Sequence, residues 1–243
     1  MNRFFIDKNL IANGTFHIVG EDLHHMVNVL RLKKGDPVEL CDGLGMEYKA
    51  IIEGLTPESA FLRIIHSEKS IAEPAYRITL FQCLPKQEKM ELIIQKCVEL
   101  GVYEIVPALS KRCIARPRGD GPDIKRIVRY NRIAYEAAKQ SKRGIVPGVS
   151  GYTSLNGCDI SNFDLAVIAY EGEREVTLKG VLSKSQDAGS IAVFIGPEGG
   201  FERDEIELLK GKGAVTVTLG NRILRTETAG MAALSMIGYH FSS

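Results

Sequence analysis

Two short segments near the end of the chain concentrate side chains that can bind a ligand. GPEGG (196–200) follows the apolar run SIAVFI, and LGNRILRTETAG (219–230) follows AVTVT. Each pattern predicts a strand, an abrupt turn and a helix. Parallel strands bring such turns together at the edge where open α/β sheets bind ligands. The glycines are expected to let the backbone approach that ligand closely; they are Gly196, Gly199, Gly200 and Gly220.

The second turn is the richer of the two in polar groups. These are Asn221, Arg222, Arg225, Thr226, Glu227 and Thr228. Ile223 and Leu224 interrupt them, which is typical of a loop that closes over a flat apolar group such as adenine. In the first turn, Pro197 stiffens the loop, and Glu198 lies beside a helix N-terminus, where negative charge is favourable. A plain glycine-rich turn, with carboxylates in capping or salt-bridge roles, is the alternative.

The elements that must position these turns alternate between strand and helix. Strands are predicted at 76–84, 102–109, 164–170, 190–196 and 214–220. This alternation predicts a parallel sheet covered on both faces. The helix over 122–143 is expected to turn six residues inward, which are Ile124, Ile127, Val128, Ala134, Ala137 and Ala138.

The first 66 residues have a different texture. PVELCDG (37–43) and MEYKAIIEG (46–54) flank a short turn and predict a hairpin, and AFLRIIH (60–66) predicts a third strand. EDLHHMVNVLRL (21–32) predicts one short helix. Short strands with one helix indicate a small barrel, and the polar segment 67–75 with Pro74 marks the domain boundary.

Charge is distributed unevenly although the net charge is only +1. Residues 111–143 contain eleven lysines and arginines against three acidic residues. Residues 198–207 contain five acidic residues and a single arginine. A concentrated basic segment in a near-neutral chain favours an anionic partner, here nucleic acid. A solvated helix face is the competing interpretation.

Several other kinds of site are disfavoured. The five cysteines form no C-x-x-C and the five histidines lack metal spacing, so no disulfide framework, zinc site or other metal site is expected. There is no G-x-x-x-x-G-K-[ST] and no G-x-S-x-G. No apolar run reaches membrane-spanning length, and the first residues have no signal-peptide core, so we expect a cytoplasmic location without a membrane partner.

Six segments together carry a resemblance to a known family. They are RFF (3–5), HHMVNVLRLKKGD (24–36), KMELIIQKCVELGV (89–102), EAAKQSKR (136–143), GPEGGF (196–201) and LGNRILRTETA (219–229). With them the whole chain resembles the ribosomal RNA small subunit methyltransferase E family, within the SPOUT (α/β-knot) methyltransferases. The family's QS-x-R motif is complete as Gln140, Ser141, Lys142 and Arg143.

The resemblance implies a fold, an activity and partners. The fold is α/β, with a PUA-like β-barrel over 1–70 that binds RNA and a SPOUT domain over 74–243, whose parallel sheet contains a deep trefoil knot. The activity is methylation of N3 of a uridine in small-subunit (16S) ribosomal RNA, as free RNA or in the small subunit, with S-adenosyl-L-methionine as methyl donor. A homodimer through the last helix is also implied; burial of that helix within its own domain is the alternative.

This chemistry assigns roles to individual residues. Uridine N3 becomes a good nucleophile only after it loses its proton. Arg225 is expected to stabilise the charge on the uracil oxygens, and Glu198 or Glu227 to accept the proton, although each carboxylate has the structural alternative given above. The donor is expected to bind Tyr170, Glu171, Ile195, Gly196, Pro197, Gly199, Leu219, Gly220, Ile223, Leu224, Arg225 and Thr228. RNA is expected to bind Arg3, Arg31, Arg112, Arg116, Arg129, Arg132, Gln140 and Arg143.

Two other functions are compatible with the sequence. One is a non-catalytic RNA-binding assembly factor that keeps a PUA-like module and a vestigial knot. The intact GPEGG and LGNRILRTETA turns argue against this function. The other is a SPOUT enzyme that methylates transfer RNA or a different ribosomal RNA position.

Overall fold

The computed structural model describes residues 2–86, 89–116 and 124–241. The chain forms two compact units. The small unit contains Met1–Glu73 and Ala138–Val146, and the large unit contains Pro74–Ala137 and Pro147–Ser243. Residues 138–146 were predicted to belong to the C-terminal domain, whereas their contacts group them with the small unit.

The small unit is built on a five-stranded sheet. Its strands are β1 (Asn2–Phe5), β2 (Thr15–Ile18), β3 (Pro37–Cys41), β4 (Met46–Leu55) and β5 (Ala60–Lys69). Their order is β1-β3-β4-β5-β2, with β1 parallel to β3 and the other neighbours antiparallel. The predicted hairpin is confirmed as β3 and β4. Among the described residues no ladder joins β1 to β2, so the sheet is curled and not closed by hydrogen bonds.

Apolar side chains on one face of this sheet form the core of the small unit. Phe4, Leu40, Ile52 and Leu62 are fully buried together with Met26. Met26 comes from the predicted helix, which is shorter and more irregular than expected. Helix α1 (Gly20–His24) passes into a π-helical turn over His25–Val29.

A buried ion pair fastens residues 138–146 to the rest of the small unit. The Glu73 carboxylate accepts hydrogen bonds from Nε and Nη2 of Arg143, at 2.9 and 2.7 Å, and from the backbone N–H groups of Gly144 and Ile145, at 2.7 and 3.0 Å. Only 4% of the Arg143 side chain and 11% of the Glu73 side chain are exposed. Burial alone would raise the pKa of Glu73, but these donors hold it below its ordinary value.

The large unit is a parallel sheet with helices. Its strands are β6 (Arg77–Cys83), β7 (Glu104–Leu109), β8 (Gly148–Val149), β9 (Thr153–Ser154), β10 (Leu165–Ala169), β11 (Ser190–Ile195) and β12 (Val215–Val217). Their order is β12-β10-β11-β6-β7-β8, with β9 also beside β7, and every pairing is parallel. This confirms the predicted parallel sheet.

Five α-helices accompany these strands in the described part of the chain. They are α2 (Lys89–Glu99), α3 (Ile124–Gln140), α4 (Leu178–Leu182), α5 (Arg203–Gly211) and α6 (Thr226–Phe241). No helix in the described ranges combines the length and apolarity needed to cross a membrane.

The prediction for the inner face of α3 was partly wrong. Ile124 and Val128 are 65% and 62% exposed, whereas Tyr130, Ala134 and Ala137 are buried. Successive residues of a helix are rotated by about 100° around its axis. By this geometry Ile124 and Val128 lie roughly a quarter turn or more from the centre of the buried face. The predicted face was therefore too wide.

Helix α6 buries one face and leaves apolar groups on another. It packs against α2, α4, β6 and β11, and Ala233, Leu234 and Ile237 are buried there. Met236 and Tyr239 are 41% and 84% exposed. The helix therefore carries more apolar surface than its own unit covers.

Candidate functional site

A cavity of about 550 Å³ lies at the carboxyl ends of three neighbouring strands of the large unit. β10 is flanked by β12 and β11, and its last residue, Ala169, is in register with Ile195 and Val217. The loops that follow the three strands therefore start at the same level. They form the cavity together with the first turn of α2, as the sequence predicted for the two turns.

Most residues predicted to bind the donor line this cavity. Eleven of the twelve do so: Tyr170, Glu171, Ile195, Gly196, Pro197, Gly199, Leu219, Gly220, Ile223, Leu224 and Arg225. Thr228 does not line it. Thr228 lies one helical turn away, where its backbone N–H donates to the Arg225 carbonyl at 2.9 Å. Of the residues predicted to be catalytic, Glu198 and Arg225 line the cavity, while Glu227 contacts it through Lys89.

Four apolar side chains line one part of the cavity. Ile195 is buried in its floor, and Leu219 and Leu224 are partly buried in its wall. Ile223, at 80% exposure, is among the most exposed large apolar side chains of the described chain. A ligand that covers this exposed isoleucine removes apolar surface from water, which favours binding.

A buried polar network fixes the floor of the cavity. The Thr226 hydroxyl donates to the Gly196 carbonyl at 2.6 Å and accepts from Nε2 of Gln82 at 2.9 Å. Gln82 also donates to the Cys83 carbonyl at 3.0 Å. Since Gln82 and Thr226 are buried, this network ties the end of β6 and the start of α6 to the loop after β11.

Two glycines of the loops have different physical requirements. A Cβ on Gly200 would lie 2.3 Å from Oε1 of Glu171, at a residue with φ +68°. Gly220 has φ +120° and open space around it, so its requirement is conformational. A Cβ on Gly196 would lie 3.2 Å from the Phe201 ring. The glycines at 196 and 200 therefore make room for neighbouring protein groups, and not only for a ligand as expected.

Lys89 pairs with both candidate carboxylates. Its Nζ lies 3.3 Å from Oε1 of Glu198 and 3.2 Å from Oε2 of Glu227. Glu198 also accepts from the backbone N–H of Lys86 at 3.0 Å. Burial would raise the pKa of Glu198, but the backbone donors and Lys89 bring it below its ordinary value. Hydrogen bonding to Glu227 first, and then to Glu198, raises the pKa of Lys89.

Three arginines on the cavity carry unneutralised charge. Arg174, Arg222 and Arg225 are exposed, and none has a side-chain hydrogen bond or ion pair with a described residue. Sequence reasoning assigned no role to Lys89 or Arg174. Lys89 had a usable signal, because a lysine in the first turn of a helix opposes the helix dipole and so calls for a carboxylate partner.

Glu173 braces the loop after β10. Its Oε1 accepts from the backbone N–H groups of Arg174, Glu175 and Val176, at 3.0, 3.0 and 3.1 Å. Its Oε2 accepts from the Thr216 hydroxyl at 2.8 Å. The N–H groups of Glu175 and Val176 contribute most to lowering the pKa of Glu173 to about 2. The loop that carries Arg174 is therefore held by an ionised side chain.

Two arginines predicted to bind RNA are structural in the small unit. Arg143 is buried against Glu73, as described above, so its guanidinium is not free for phosphate. Arg3 donates to Glu47 at 2.8 Å and to the Lys142 carbonyl at 3.1 Å, with 8% of its side chain exposed. Neither role was predicted, because residue types alone do not show partners that are distant in sequence.

The other residues predicted to bind RNA are exposed in their own units. Arg31 and Gln140 belong to the small unit, and Arg116 and Arg132 to the large unit. Arg112 is bonded to Glu202 at 2.8 Å and to the Gly199 carbonyl, and Arg129 to Glu91 at 2.8 Å. These exposed pairs contribute little stability, so their arginines can exchange a carboxylate for a phosphate.

A search of the described residues for a metal site finds no group of three or more His, Cys, Asp or Glu side chains suited to a metal ion. The five cysteines are free and buried.

Comparison with known families identifies the class of each part of the chain. A model for an RNA methyltransferase domain matches residues 72–238, and a model for an RNA methyltransferase PUA domain matches residues 18–65. The fold and cavity described above are thus those of an RNA methyltransferase with a PUA domain.

Individual relatives give the family. The chain is 36% identical to Ribosomal RNA small subunit methyltransferase E of Bacillus subtilis, over 98% of this chain and 96% of that protein. A crystal structure of Ribosomal RNA small subunit methyltransferase E from Neisseria gonorrhoeae bound to S-adenosyl methionine has a TM-score of 0.84 and 32% identity, over 98% and 97% of the two chains. A putative methyltransferase from Legionella pneumophila in complex with its cofactor SAM has a TM-score of 0.80 and 29% identity, over 98% and 96%. The chain belongs to the ribosomal RNA small subunit methyltransferase E family.

Proposed function

We propose that the protein transfers the methyl group of S-adenosyl-L-methionine to N3 of a uridine in small-subunit (16S) ribosomal RNA. The observation that carries this proposal is the cavity at the ends of β10, β11 and β12, which combines an apolar wall with unpaired arginines. An enzyme with a ribosomal RNA substrate would act in the cytoplasm.

The residues of the cavity fit this methyl donor. The volume of the cavity is within the usual range for a small-molecule site, about 300–1,000 Å³. Ile195, Leu219, Ile223 and Leu224 would hold the adenine, and the polar backbone of the loops would read its edge. When bound, the donor supplies an electrophilic methyl group on a sulfonium. Thr226 and Gln82 hold the floor of the cavity in place before binding.

The arginines suit the other reactant. A uridine must be unstacked before N3 is accessible, at a cost of about a few kcal/mol. Arg225, which lines the cavity, would stabilise the negative charge that develops on O2 or O4 of the uracil. Arg174 and Arg222 offer guanidinium groups to the phosphates on either side of that nucleotide.

We infer that further contacts to RNA come from exposed groups in both units. Arg31 and Gln140 in the small unit, and Arg116 and Arg132 in the large unit, would contact phosphates. Arg112 and Arg129 would join them by exchanging their carboxylate partners. Such contacts give affinity and position, whereas the choice of uridine depends on the base itself.

We also propose that the protein is a homodimer through α6, because that helix leaves Met236 and Tyr239 exposed. Met236→Arg should convert a dimer into a monomer in size-exclusion chromatography with light scattering. Glu207→Arg, which introduces the same side chain on α5, should stay dimeric. A wild-type monomer at micromolar concentration would refute the dimer.

The knot is part of the same proposal. β12 lies at the edge of the sheet beside β10, and the next element, α6, returns across the sheet to pack on β6 and α2. We infer that this return passes through a loop and forms the trefoil knot.

Two measurements test the activity. Calorimetry should detect binding of S-adenosylmethionine by the wild-type protein, and loss of that binding in Ile223→Asp. Mass spectrometry of 16S ribosomal RNA incubated with protein and donor should show new N3-methyluridine. Methylation of transfer RNA alone would favour a different substrate, and RNA binding without methyl transfer would favour an assembly factor.

A further inference from the structure

Lys89 joins two carboxylates that come from different parts of the chain. Glu198 lies in the loop after β11, and Glu227 lies in the first turn of α6. The exposed fractions of the three side chains are 27% for Lys89, 25% for Glu198 and 15% for Glu227. Partial burial keeps the three charges from being fully screened by solvent.

The pairing leaves this corner of the cavity with one net negative charge. Among the residues that the structure describes, the other charged groups on the cavity are Glu171, the loop brace Glu173, and the arginines at 174, 222 and 225. Of the two carboxylates predicted to accept the proton, Glu198 accepts hydrogen bonds from Lys89 and from the backbone N–H of Lys86. Glu227 faces Lys89 as an ion pair, and its buried Oε2 has no hydrogen bond from a described residue. Hydrogen bonds to its charged form make Glu198 a weaker base, and the ion pair with Lys89 holds Glu227 beside the same cation.

We propose that Lys89 is a positioning residue that holds Glu198 and Glu227 together as ion-paired carboxylates, so that neither acts as general base and the N3 proton of the uridine leaves to solvent. The inference rests on the proposed function. In the reaction, the N3–H bond breaks and hydroxide takes the proton. The electron pair left on N3 forms the bond to the methyl carbon, and the pair of the broken carbon–sulfur bond stays on sulfur as a neutral thioether.

The pH dependence of the rate separates this route from general-base catalysis. If hydroxide removes the proton, the logarithm of the single-turnover rate rises with a slope near one between about pH 6 and about pH 8. If an ionised carboxylate removes it from neutral uridine, the rate is independent of pH over this range. We expect the first result for the wild-type protein, for Glu198→Gln and for Glu227→Gln.

Substitutions of Lys89 complete the test. In Lys89→Met the two carboxylates lose the cation that pairs them and are released to accept the proton, so the slope should fall below one. Lys89→Arg keeps the positive charge, so its slope should be near one, as in the wild type. A pH-independent wild-type rate that falls about 10²–10⁴-fold in Glu198→Gln or Glu227→Gln would overturn the proposal. An absence of any methylated uridine would instead refute the proposed function.

Ligand binding provides a readout that does not depend on turnover. The donor carries a sulfonium charge and its demethylated product, S-adenosylhomocysteine, does not. Removal of the Lys89 charge should therefore favour the donor over the product, on the order of fivefold in the ratio of their dissociation constants. Calorimetry with both ligands measures this ratio for wild type, Lys89→Met and Lys89→Arg. An unchanged ratio in Lys89→Met would show that its charge does not act on the cavity.

Discussion

Arg143 belongs to a signature motif of the family, yet its position predicts a defect in stability and not in RNA binding. Arg143→Met removes the guanidinium from a carboxylate that is 11% exposed. Removal of one partner of a buried ion pair costs about 3–5 kcal/mol. Because Glu73 keeps the N–H donors of Gly144 and Ile145, we expect a loss of about 3 kcal/mol. For a unit of this size that lowers the melting temperature by roughly 10–20 °C.

The measurement is urea and thermal unfolding followed by far-UV circular dichroism, since the chain has no tryptophan. Arg132→Ala, which removes an exposed arginine, is the control and should change the free energy of unfolding by less than about 0.5 kcal/mol. In the double variant Glu73→Gln with Arg143→Met no buried charge is left unpaired, and the amide oxygen can still accept from the N–H groups of Gly144 and Ile145, so most of the loss should be recovered. A loss in Arg143→Met as small as that of the control would refute the reasoning.

The pH dependence gives the same prediction a sign. In the wild type the pKa of Glu73 is depressed, so its contribution is complete above the ordinary value of 4.5 and is lost as the pH falls through the lower folded-state pKa. In Arg143→Met burial acts with less compensation, and protonation of Glu73 relieves the unpaired charge. The difference in stability between the two proteins should therefore be largest near neutral pH and should shrink below about pH 4.

RNA binding separates the structural role from a phosphate contact. For folded Arg143→Met, the slope of log affinity against log salt should equal that of the wild type. Loss of a phosphate contact would reduce the slope by about one.

Three further predictions concern the cavity. Gly220→Ala places a side chain at φ +120°, which costs of order 1–3 kcal/mol, so calorimetry should show weaker binding of S-adenosylmethionine with little change in circular dichroism; unchanged affinity would contradict the conformational role. Thr226→Val leaves the buried Gln82 amide short of a partner and should lower the free energy of unfolding by about 1–3 kcal/mol, measured in urea, where Thr226→Ser should recover most of the loss. Glu173→Ala should speed amide hydrogen exchange at 174–176, and in the wild type the protection should persist as the pH falls until it nears about 2, the pKa of Glu173; equal exchange in both proteins would exclude the brace.

The order of strands and helices, and the side chains on the cavity, were largely predictable from the sequence. Local patterns determine them: a buried parallel strand such as β11 is continuously apolar, and a tight turn follows it. The predicted loops meet because their strands are neighbours in register. Such information is contained within about ten residues on either side of each turn.

What could not be predicted depends on partners far apart in the chain. Arg143 was counted as a surface cation because nothing near it in the sequence shows that Glu73 binds it. The position of Lys89 in the first turn of a helix called for a carboxylate partner, but not for Glu198 and Glu227, which are more than a hundred residues away. Periodicity likewise predicts an apolar face for α3, but it does not show which residues of that face the neighbouring elements cover.

The attachment of residues 138–146 to the small unit has a consequence for the order of folding during synthesis. Domains generally fold as units while the chain leaves the ribosome, starting from the N-terminus. Here the first 73 residues emerge without the segment that neutralises Glu73, and they must wait until about half of the following domain has been translated. The small unit is therefore completed late, although all its strands are made early, and a fragment that stops at the apparent linker would retain a buried carboxylate with no cation to bind it.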